Sequence, residues 1–453
     1  MNFQKVREFD IPGNRYSYSA NVDLGGGRRG FVFSSSASWQ DPGEELFHLP
    51  KDGLEILCYD DSGALLWSKK LGVGVLPGIW FCPLAAVDMD GDGRDEIYFV
   101  NNLSDAPFSL FQRRLEALDS LTGETLGSWQ WPDRTRELSM SKCYRFYLTA
   151  GYAHGSPVLI TSQGCYTDMY LQGWGRGMVK LWEKTIPESD PGPRASHLTP
   201  VLDLNGDGVD EIFWGERVLS VLTGEEVFNF APDFHGHSDI LVPFLDYAED
   251  KMYVYTCRED HETPGQKRIN VFNADGSLKW GAVDTGHMHT GWVATVFDGF
   301  GKLAMAEHHE WRPNTEVGSD SGMTMHTLEH YLFRAVTGER AAFSLPVPLG
   351  DVAPADIDGD GYSEFIGGGK IFDRFGDLLA QYPGSRVRSG RILEEYAGEQ
   401  LMTNENGKIY IWADLDARDG EIMKKRLSYR FPLLLQKLTA SGYNSNNALA
   451  SCL

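Results

Sequence analysis

The stretch Asp88-Met-Asp90-Gly-Asp92-Gly-Arg94-Asp95-Glu96 points to the fold of this chain, because near-copies of it recur at two distant places. The copies are Asp203-Leu-Asn205-Gly-Asp207-Gly-Val209-Asp210-Glu211 and Asp356-Ile-Asp358-Gly-Asp360-Gly-Tyr362-Ser363-Glu364. Short apolar stretches precede and follow each copy, so each copy is predicted to join two β-strands. An EF-hand would place helices on both sides and a glutamate at the twelfth position, and neither is present. We refer to the three copies as the acidic loops.

The acidic loops carry the oxygen donors that a hard cation such as calcium requires. Acids or amides stand at positions one, three and five, a glycine permits the sharp turn, position seven offers a backbone carbonyl, and position nine is an acid. We therefore predict Ca²⁺ as the cofactor. A metal-free turn is the alternative, because Asp and Asn also favour such turns. The predicted ligands are Asp88, Asp90, Asp92, Arg94 and Glu96 in the first loop, Asp203, Asn205, Asp207, Val209 and Glu211 in the second, and Asp356, Asp358, Asp360, Tyr362 and Glu364 in the third.

A second repeat overlies the acidic loops. Short strand pairs, each joined by a turn with a glycine near its end, recur along the chain, and three of these turns read Thr-Gly-Glu. The period of roughly 50 residues is typical of four-stranded propeller blades. We predict an all-β, eight-bladed propeller forming a single domain over residues 1–453, with seven blades as the alternative. The repeated pairs are Ile56–Trp67, Leu115–Trp131, Val218–Phe230, Ile269–Trp280 and Tyr331–Leu345, with less regular copies at Lys370–Tyr382, Met178–Ile186 and Lys408–Lys424.

The composition supports a β-rich fold and narrows the possible partners. The 50 Gly, 12 Trp, 19 Tyr and 24 Phe are rich in turn formers and in residues suited to pleated surfaces. A formal net charge of −23 disfavours nucleic acid and anionic membranes as partners, since both attract positive charge. An acidic polymer is still allowed where bound cations or arginines supply a positive field.

Targeting signals and cysteines bear on the compartment. The N-terminal residues show no apolar signal segment, and no apolar run approaches the length of a membrane span. Six cysteines without Cys-x-x-Cys spacing indicate free thiols in a reducing compartment, and one or two disulfides in an exported protein are the alternative. We expect a soluble cytoplasmic monomer, or a secreted protein if a leader has been trimmed from the sequence.

Histidines concentrate in the second half of the chain and are interleaved with acids. Adjacent blades bring their loop ends together around a common axis, so such clusters predict a polar pocket with acid–base groups or metal ligands. Surface loops and structural histidines are the alternative, and the spacing of the last pair also fits one face of a short helix. The clusters are His235 and His237 with Asp239, residues 258–262, His287 with His289, residues 307–310, and His326 with His330.

Three segments, taken in order, resemble the catalytic propeller of family 11 polysaccharide lyases, the rhamnogalacturonan lyases. They are Gly164-Cys165-Tyr166-Thr167, residues 196–212 around the second acidic loop, and His235-Gly236-His237-Ser238-Asp239. The resemblance implies an eight-bladed propeller that binds calcium and cleaves the rhamnose to galacturonate linkage by β-elimination. This chain departs from the family where an expected His-Glu pair reads Arg258-Glu259 and where a further expected histidine falls near Val242.

From this resemblance we expect a calcium-dependent lyase that acts on an acidic, rhamnose-containing polysaccharide or oligosaccharide. A glycoside hydrolase that removes rhamnose, and a non-catalytic propeller that binds carbohydrate or protein, are the alternatives. The expected site residues are His235 or His237 as base or metal ligand, Asp239 as metal ligand, Tyr166 as proton donor, Arg258 as clamp for the sugar carboxylate, and His289 and His308 as pocket walls.

Overall fold

The computed structural model describes residues 1–11, 16–37, 53–76, 78, 80–104, 112–132, 145–259, 265–313, 323–439 and 449–453. Within these residues, 31 β-strands form eight antiparallel sheets that are arranged in a ring. Each sheet is one blade. The prediction of an all-β, eight-bladed propeller is therefore confirmed against the seven-bladed alternative.

The blades follow the chain in order. Blade 1 contains β2 (Tyr16–Gly25), β3 (Arg28–Ser36), β4 (Glu55–Asp60) and β5 (Leu65–Lys70), and blade 2 contains β6 (Leu84–Val87), β7 (Glu96–Asn102), β8 (Arg113–Asp119) and β9 (Thr125–Gln130). Blade 3 contains β10 (Phe146–Ala153), β11 (Ser156–Gln163), β12 (Met169–Gly175) and β13 (Val179–Ile186), and blade 4 contains β14 (Val201–Leu202), β15 (Glu211–Trp214), β16 (Arg217–Ser220) and β17 (Glu226–Asn229).

Blades 5 to 8 complete the ring. Blade 5 contains β18 (Ser238–Asp246), β19 (Lys251–Arg258), β20 (Ile269–Asn273) and β21 (Leu278–Ala282), and blade 6 contains β22 (His287–Phe297), β23 (Gly301–Pro313) and β24 (Met323–Arg334). Blade 7 contains β25 (Ala353–Ala355), β26 (Glu364–Gly367), β27 (Lys370–Phe372) and β28 (Leu378–Gln381), and blade 8 contains β29 (Ser385–Gly390), β30 (Gln400–Glu405), β31 (Lys408–Asp414) and β1 (Phe3–Asp10). Two helices follow, α1 (Glu421–Ser428) and α2 (Arg430–Gln436).

Both ends of the propeller sequence share blade 8. Strand β31 pairs on one side with β30 and on the other with β1, so the outermost strand of the last blade comes from the N-terminal residues. The predicted hairpin at Lys408–Lys424 is therefore wrong, because the chain turns into helix α1 after β31. Closing a ring requires one sheet to join distant parts of the chain, and a local hairpin pattern cannot reveal that pairing.

The Thr-Gly-Glu turns join neighbouring blades. Trp182 on the outer strand of blade 3 donates its indole N–H to the backbone oxygen of Val221 in blade 4, at 2.8 Å. Gly224 of that turn has φ +69°, and a Cβ there would lie 2.6 Å from the Trp182 ring. Trp67 and Trp280 contact the corresponding turns of blades 2 and 6 in the same way. The repeated glycine is therefore needed for packing between blades as well as for the turn.

The acidic loops connect the first and second strands of blades 2, 4 and 7, so they lie on one face of the disk, which we call the loop face. Position eight of each loop binds the preceding blade. Asp95 accepts from the backbone N–H of Asp23 at 2.7 Å, and Asp210 accepts from that of Tyr152 at 2.7 Å. Ser363 makes the equivalent contact with Thr295. The loops thus hold blades together as well as offering oxygen donors.

The C-terminal segment packs on the loop face. Arg426 of α1 forms an ion pair with Asp356 of the third acidic loop at 3.1 Å, and both side chains are fully buried. Lys437, which follows α2, pairs with Asp95 at 2.7 Å. The backbone N–H of Thr439 donates to the oxygen of Leu84 on β6. The segment therefore ties blades 2 and 7 together across the face.

Two of the sequence-based expectations about the compartment can be compared with the described residues. No helix in these ranges is long and apolar enough to cross a bilayer. Five cysteines are buried free thiols, as predicted for them, while Cys143 lies outside the described residues.

Candidate functional site

The opposite face of the disk, which we call the site face, collects imidazoles and carboxylates from several blades. Tyr166 follows the second strand of blade 3, and His197 precedes the first strand of blade 4. His237 and Asp239 stand at the start of β18 in blade 5, and Glu259 follows β19 of the same blade. All but Tyr166 and Glu259 are buried, and those two are half-buried. These side chains meet where the first strands of neighbouring blades converge on the hub.

Four of these side chains place their donor atoms together. His197 Nδ1 lies 2.6 Å from Asp239 Oδ1, and His237 Nε2 lies 2.9 Å from Glu259 Oε2 and 3.6 Å from Asp239 Oδ1. One donor atom from each residue falls within 4.8 Å of all the others. Two imidazoles and two carboxylates form a donor set that divalent cations bind. We call these four residues the four-donor cluster.

Hydrogen bonding within the cluster supports a cation-binding character. His237 Nε2, Asp239 Oδ1 and Glu259 Oε2 are buried, and their contacts are with one another and with His197. Carboxylates buried side by side are costly to charge, and a cation between them would lower that cost. His237 Nδ1 donates to the backbone oxygen of Ala195 at 2.6 Å, which turns Nε2 towards the carboxylates. Burial opposes a charge on His237, but Cys165, Asp239 and Glu259 prevail and raise the pKa of His237 well above its usual range. A bound cation would replace the proton on Nε2, and a carbonyl partner on the other nitrogen is typical of a metal-binding histidine.

A tyrosine lies beside the cluster. Tyr166 Oη is 2.8 Å from His197 Nε2, while His197 Nδ1 faces Asp239, so the three side chains form a continuous chain. The guanidinium of Arg145 lies over the rings of Trp80 and Tyr166, at 4.4 Å and 5.3 Å from their centroids. Burial, followed by the nearby charges of His237 and Arg145, lowers the pKa of His197 well below its usual range. His197 is therefore held as a neutral imidazole against the tyrosine.

The acids of the cluster titrate in opposite directions. Burial, followed by the charge of Glu259, raises the pKa of Asp239 to about 8. Burial also opposes ionisation of Glu259, but its contacts with His237 prevail and lower the pKa of Glu259 to about 2. Two carboxylates so close together cannot both be charged at low cost without a cation. Without a cation, Glu259 is charged and Asp239 is mostly neutral at pH 7. A bound divalent cation would allow both carboxylates to be charged.

Blade 6 extends the site with more imidazoles. His289 Nδ1 lies 3.4 Å from Asp239 Oδ2, and His287 Nε2 lies 3.3 Å from Glu259 Oε1. The His289 ring stacks on His309 with centroids 5.0 Å apart, and His309 Nε2 reaches Glu307 at 3.1 Å. Burial lowers the pKa of His289 to about 3, so its imidazole is neutral at pH 7.

Strand register explains which candidates reach the cluster. Ser238 pairs with Arg258 across β18 and β19, so both side chains lie on one face of the sheet, and both bind Glu216. The neighbouring residues His237 and Glu259 lie on the other face, towards the hub. The sequence favoured Arg258 as a carboxylate clamp, but its guanidinium is buried in a two-point ion pair with Glu216. This environment argues against the clamp.

The other candidates divide in a similar way. Tyr166, His237, Asp239 and His289 come together, as predicted. His235 is exposed, two residues from His237, and is not one of the described residues whose donor atoms gather in the cluster. His308 lies on the opposite side of β23 from Glu307 and His309, and its ring stacks on Tyr331. His326 and His330 lie on strand β24, which excludes the helix alternative, and residues 260–262 lie outside the described ranges.

His197 was not among the predicted site residues, and Glu259 was predicted only as part of the cluster of residues 258–262. His197 stands six residues before the second acidic loop, at the head of an innermost strand, and Glu259 immediately follows Arg258. Both strands are buried along most of their length, so the hydrophobic pattern does not fix the register that turns Glu259 rather than Arg258 towards the hub. No local signal marks His197, because its partners come from other blades.

The acidic loops assemble the predicted oxygen donors on the loop face. The carboxylates of Asp88, Asp90, Asp92 and Glu96 gather within one loop, and corresponding groups form in the second and third loops. Burial raises the pKa of Glu96 and of Glu211 to about 7, which shows the cost of charging these positions without a cation. In the first loop, Asp88 also accepts backbone N–H groups from Gly91 and Gly93. The loops fit a calcium ion, whose binding stays a prediction.

Comparisons with known proteins show that the chain is similar to rhamnogalacturonan lyases. It is 27% identical over 307 residues to rhamnogalacturonan exolyase YesX of Bacillus subtilis (strain 168), covering 59% of this chain and 49% of that protein. It is 25% identical over 309 residues to rhamnogalacturonan endolyase YesW of the same organism, covering 59% of this chain and 48% of that protein. The chain thus spans about half the length of these curated relatives.

Solved structures of rhamnogalacturonan lyases share the fold. The exotype lyase YesX superposes with a TM-score of 0.71 at 19% identity, covering 91% of this chain and 76% of that one. A Bacillus licheniformis rhamnogalacturonan lyase of family PL11 gives the same TM-score at 18% identity, covering 92% of this chain and 76% of that one. No family model matches the chain. The expected resemblance to a lyase-like β-propeller is confirmed.

Proposed function

We propose that this protein is a polysaccharide lyase that cleaves a rhamnose to uronate linkage of a rhamnogalacturonan-like saccharide by β-elimination. The observation that carries the proposal is the chain from Tyr166 through His197 to Asp239, set against the four-donor cluster at the hub. Similarity to the two rhamnogalacturonan lyases of Bacillus subtilis supports the substrate class.

The proton transfers are assigned to Tyr166 and His197. The neutral imidazole of His197 accepts the phenolic proton through Nε2, at 2.8 Å, and Asp239 stabilises the imidazolium that forms. The phenolate of Tyr166 takes the proton from the carbon next to the uronate carboxylate, and the bond to the leaving sugar oxygen breaks. Tyr166 then returns that proton to the departing oxygen, and His197 restores the phenol. One acid–base pair thus serves both transfers on the same side of the sugar ring.

The four-donor cluster is proposed to hold a divalent cation through His197, His237, Asp239 and Glu259. When bound, such a cation neutralises the uronate carboxylate and the enolate-like charge that develops in elimination. Coordination of such a cation through His197 Nδ1 would place the imidazole proton on Nε2. His197 would then stabilise the Tyr166 phenolate by donating to it, and the phenolic proton would pass to solvent instead of to His197.

The acidic loops are proposed to hold Ca²⁺ for stability rather than for chemistry. They lie on the face opposite the four-donor cluster, and their position-eight residues bind neighbouring blades. The donor atoms gathered in the acidic loops are carboxylate oxygens, whereas the four-donor cluster contains two imidazoles. Oxygen-only sets suit calcium, and mixed sets also suit manganese and zinc.

The experiment is incubation of the purified protein with rhamnogalacturonan, followed by ultraviolet absorbance of the unsaturated uronate. Absorbance that rises with wild type, and falls about 10²–10⁴-fold in rate with Tyr166→Phe, supports the proposal. Tyr170→Phe is the matched control, because Tyr170 contacts Asp168 and stands outside the cluster. Release of reducing sugar without absorbance would replace the lyase with a hydrolase, and no product from any rhamnose-containing polymer would favour a binding propeller.

A further inference from the structure

Cys165 lies on the other side of His237 from the four-donor cluster. Its sulfur is 3.5 Å from His237 Nδ1 and 3.7 Å from the backbone oxygen of Ala195, and the side chain is fully buried. One donor atom each from Cys165, His197 and His237 falls within 4.8 Å of the other two. Two donor sets therefore overlap in this region, and they share both imidazoles.

The spacing in the sulfur-containing set matches tetrahedral zinc. Zinc binds thiolate at about 2.3 Å and imidazole at about 2.0–2.1 Å, so a tetrahedral angle separates the sulfur and nitrogen atoms by about 3.5 Å. The distance from Cys165 Sγ to His237 Nδ1 is 3.5 Å. Because His237 Nδ1 points at the backbone oxygen of Ala195, the ring has to turn before this nitrogen can face a cation. The thiolate is a donor that calcium and magnesium disfavour but zinc and cadmium prefer.

We propose that Cys165, His197 and His237 form a second binding site, selective for a thiophilic divalent cation such as zinc or cadmium. On binding, Cys165 releases its thiol proton to solvent and coordinates as thiolate. The hydrogen bond from His237 Nδ1 to Ala195 is given up, and Nδ1 becomes a ligand. A cation here uses the two imidazoles that the four-donor cluster also contains, so the two sites compete for His197 and His237.

The proposal stands apart from the lyase activity, and its test is spectroscopic. Cadmium chloride is titrated into the purified protein while the ultraviolet charge-transfer band of a cadmium–thiolate bond is recorded. We expect a band that saturates at one cadmium per chain in wild type. In Cys165→Ser the band disappears and cadmium binds more than about 100-fold more weakly, because even an outer partner of a metal ligand is worth 10–100-fold in affinity.

Cys82→Ser is the matched control, because Cys82 is also buried but contacts Val100 in blade 2. The band is expected to be unchanged in this variant. Should Cys165→Ser fail to fold, X-ray absorption on the wild-type zinc complex counts the ligands directly. One sulfur with two or more nitrogens supports the site. A band that survives in folded Cys165→Ser, or a zinc shell without sulfur, overturns it, and neither result bears on the lyase.

Discussion

The two faces of the propeller hold carboxylates in different ways. Each acidic loop on the loop face draws its donors from nine consecutive residues, and its other contacts join neighbouring blades. The four-donor cluster on the site face draws its donors from the entrance of blade 4 and from blade 5, and blades 3 and 6 add Tyr166 and His289. Under the proposed function, the loop face would contribute stability and the site face would carry the chemistry.

The largest expected effect is a difference in elimination rate between variants of two neighbouring histidines, His237 and His235. His237→Gln is expected to lower the rate of elimination about 10²–10⁴-fold, because it removes a donor from the four-donor cluster while keeping the side chain's size. Initial rates of absorbance increase give the measurement, with circular dichroism to verify folding. His235→Gln is the comparison, because His235 is exposed and outside the cluster. Equal rates for the two variants would remove His237 from the proposed site.

The next largest expected effect is a loss of stability from a substitution on the loop face. Arg426→Met breaks the fully buried ion pair with Asp356 and leaves a buried carboxylate without its cation. Such losses cost about 3–5 kcal/mol, so the midpoint of urea denaturation should fall clearly. Lys424→Ala on the same helix is the control, because its ion pair with Glu421 is exposed and little change is expected. The elimination rate of folded Arg426→Met should match wild type, and a proportional loss of rate would show that the faces are coupled.

Removal of calcium gives a smaller effect on the same face. Chelation is expected to lower the melting temperature, since an ion at 100 times its dissociation constant contributes about 2.7 kcal/mol. The loop variant Asp90→Ala should shrink the shift between calcium and chelator, whereas Asp61→Ala, in an exposed turn without a predicted site, should not. Identical melting curves with calcium and with chelator would contradict calcium binding by the acidic loops.

The smallest effect is a pH dependence from Lys302, which is buried beside Thr295 and Tyr247. Burial lowers the pKa of Lys302 to about 7, below its value of about 10.4 in the unfolded chain. Between these values the unfolded chain binds more protons, so this lysine makes stability rise with pH across that window. Lys302→Met should flatten the rise measured by denaturation at pH 7 and pH 9, and exposed Lys279→Met should not. If stability rises with pH as steeply in Lys302→Met as in wild type, Lys302 is not the group that causes the rise.

The sequence predicted the loop face better than the site face, for a physical reason. Ligands within nine residues are positioned by one turn, so Asp88, Asp90 and Asp92 could be read from spacing alone. Arg258 and Glu259 are adjacent, yet the strand register turns one towards Glu216 and the other towards the hub. A shift of one residue in that register would exchange their roles, and the sequence pattern did not fix it.

By itself, the sequence determined the repeat and the acidic loops, because each depends on contacts between residues close in the chain. It left seven blades open beside eight, and the closed ring decided for eight. Tertiary structure alone decided that His197 joins His237, that β1 closes the ring against β31, and that Arg426 reaches Asp356. Each of those contacts joins residues that are far apart in the chain, and they meet only because the blades close into a ring. Local preferences shape the blades, and ring closure determines which of their ends meet.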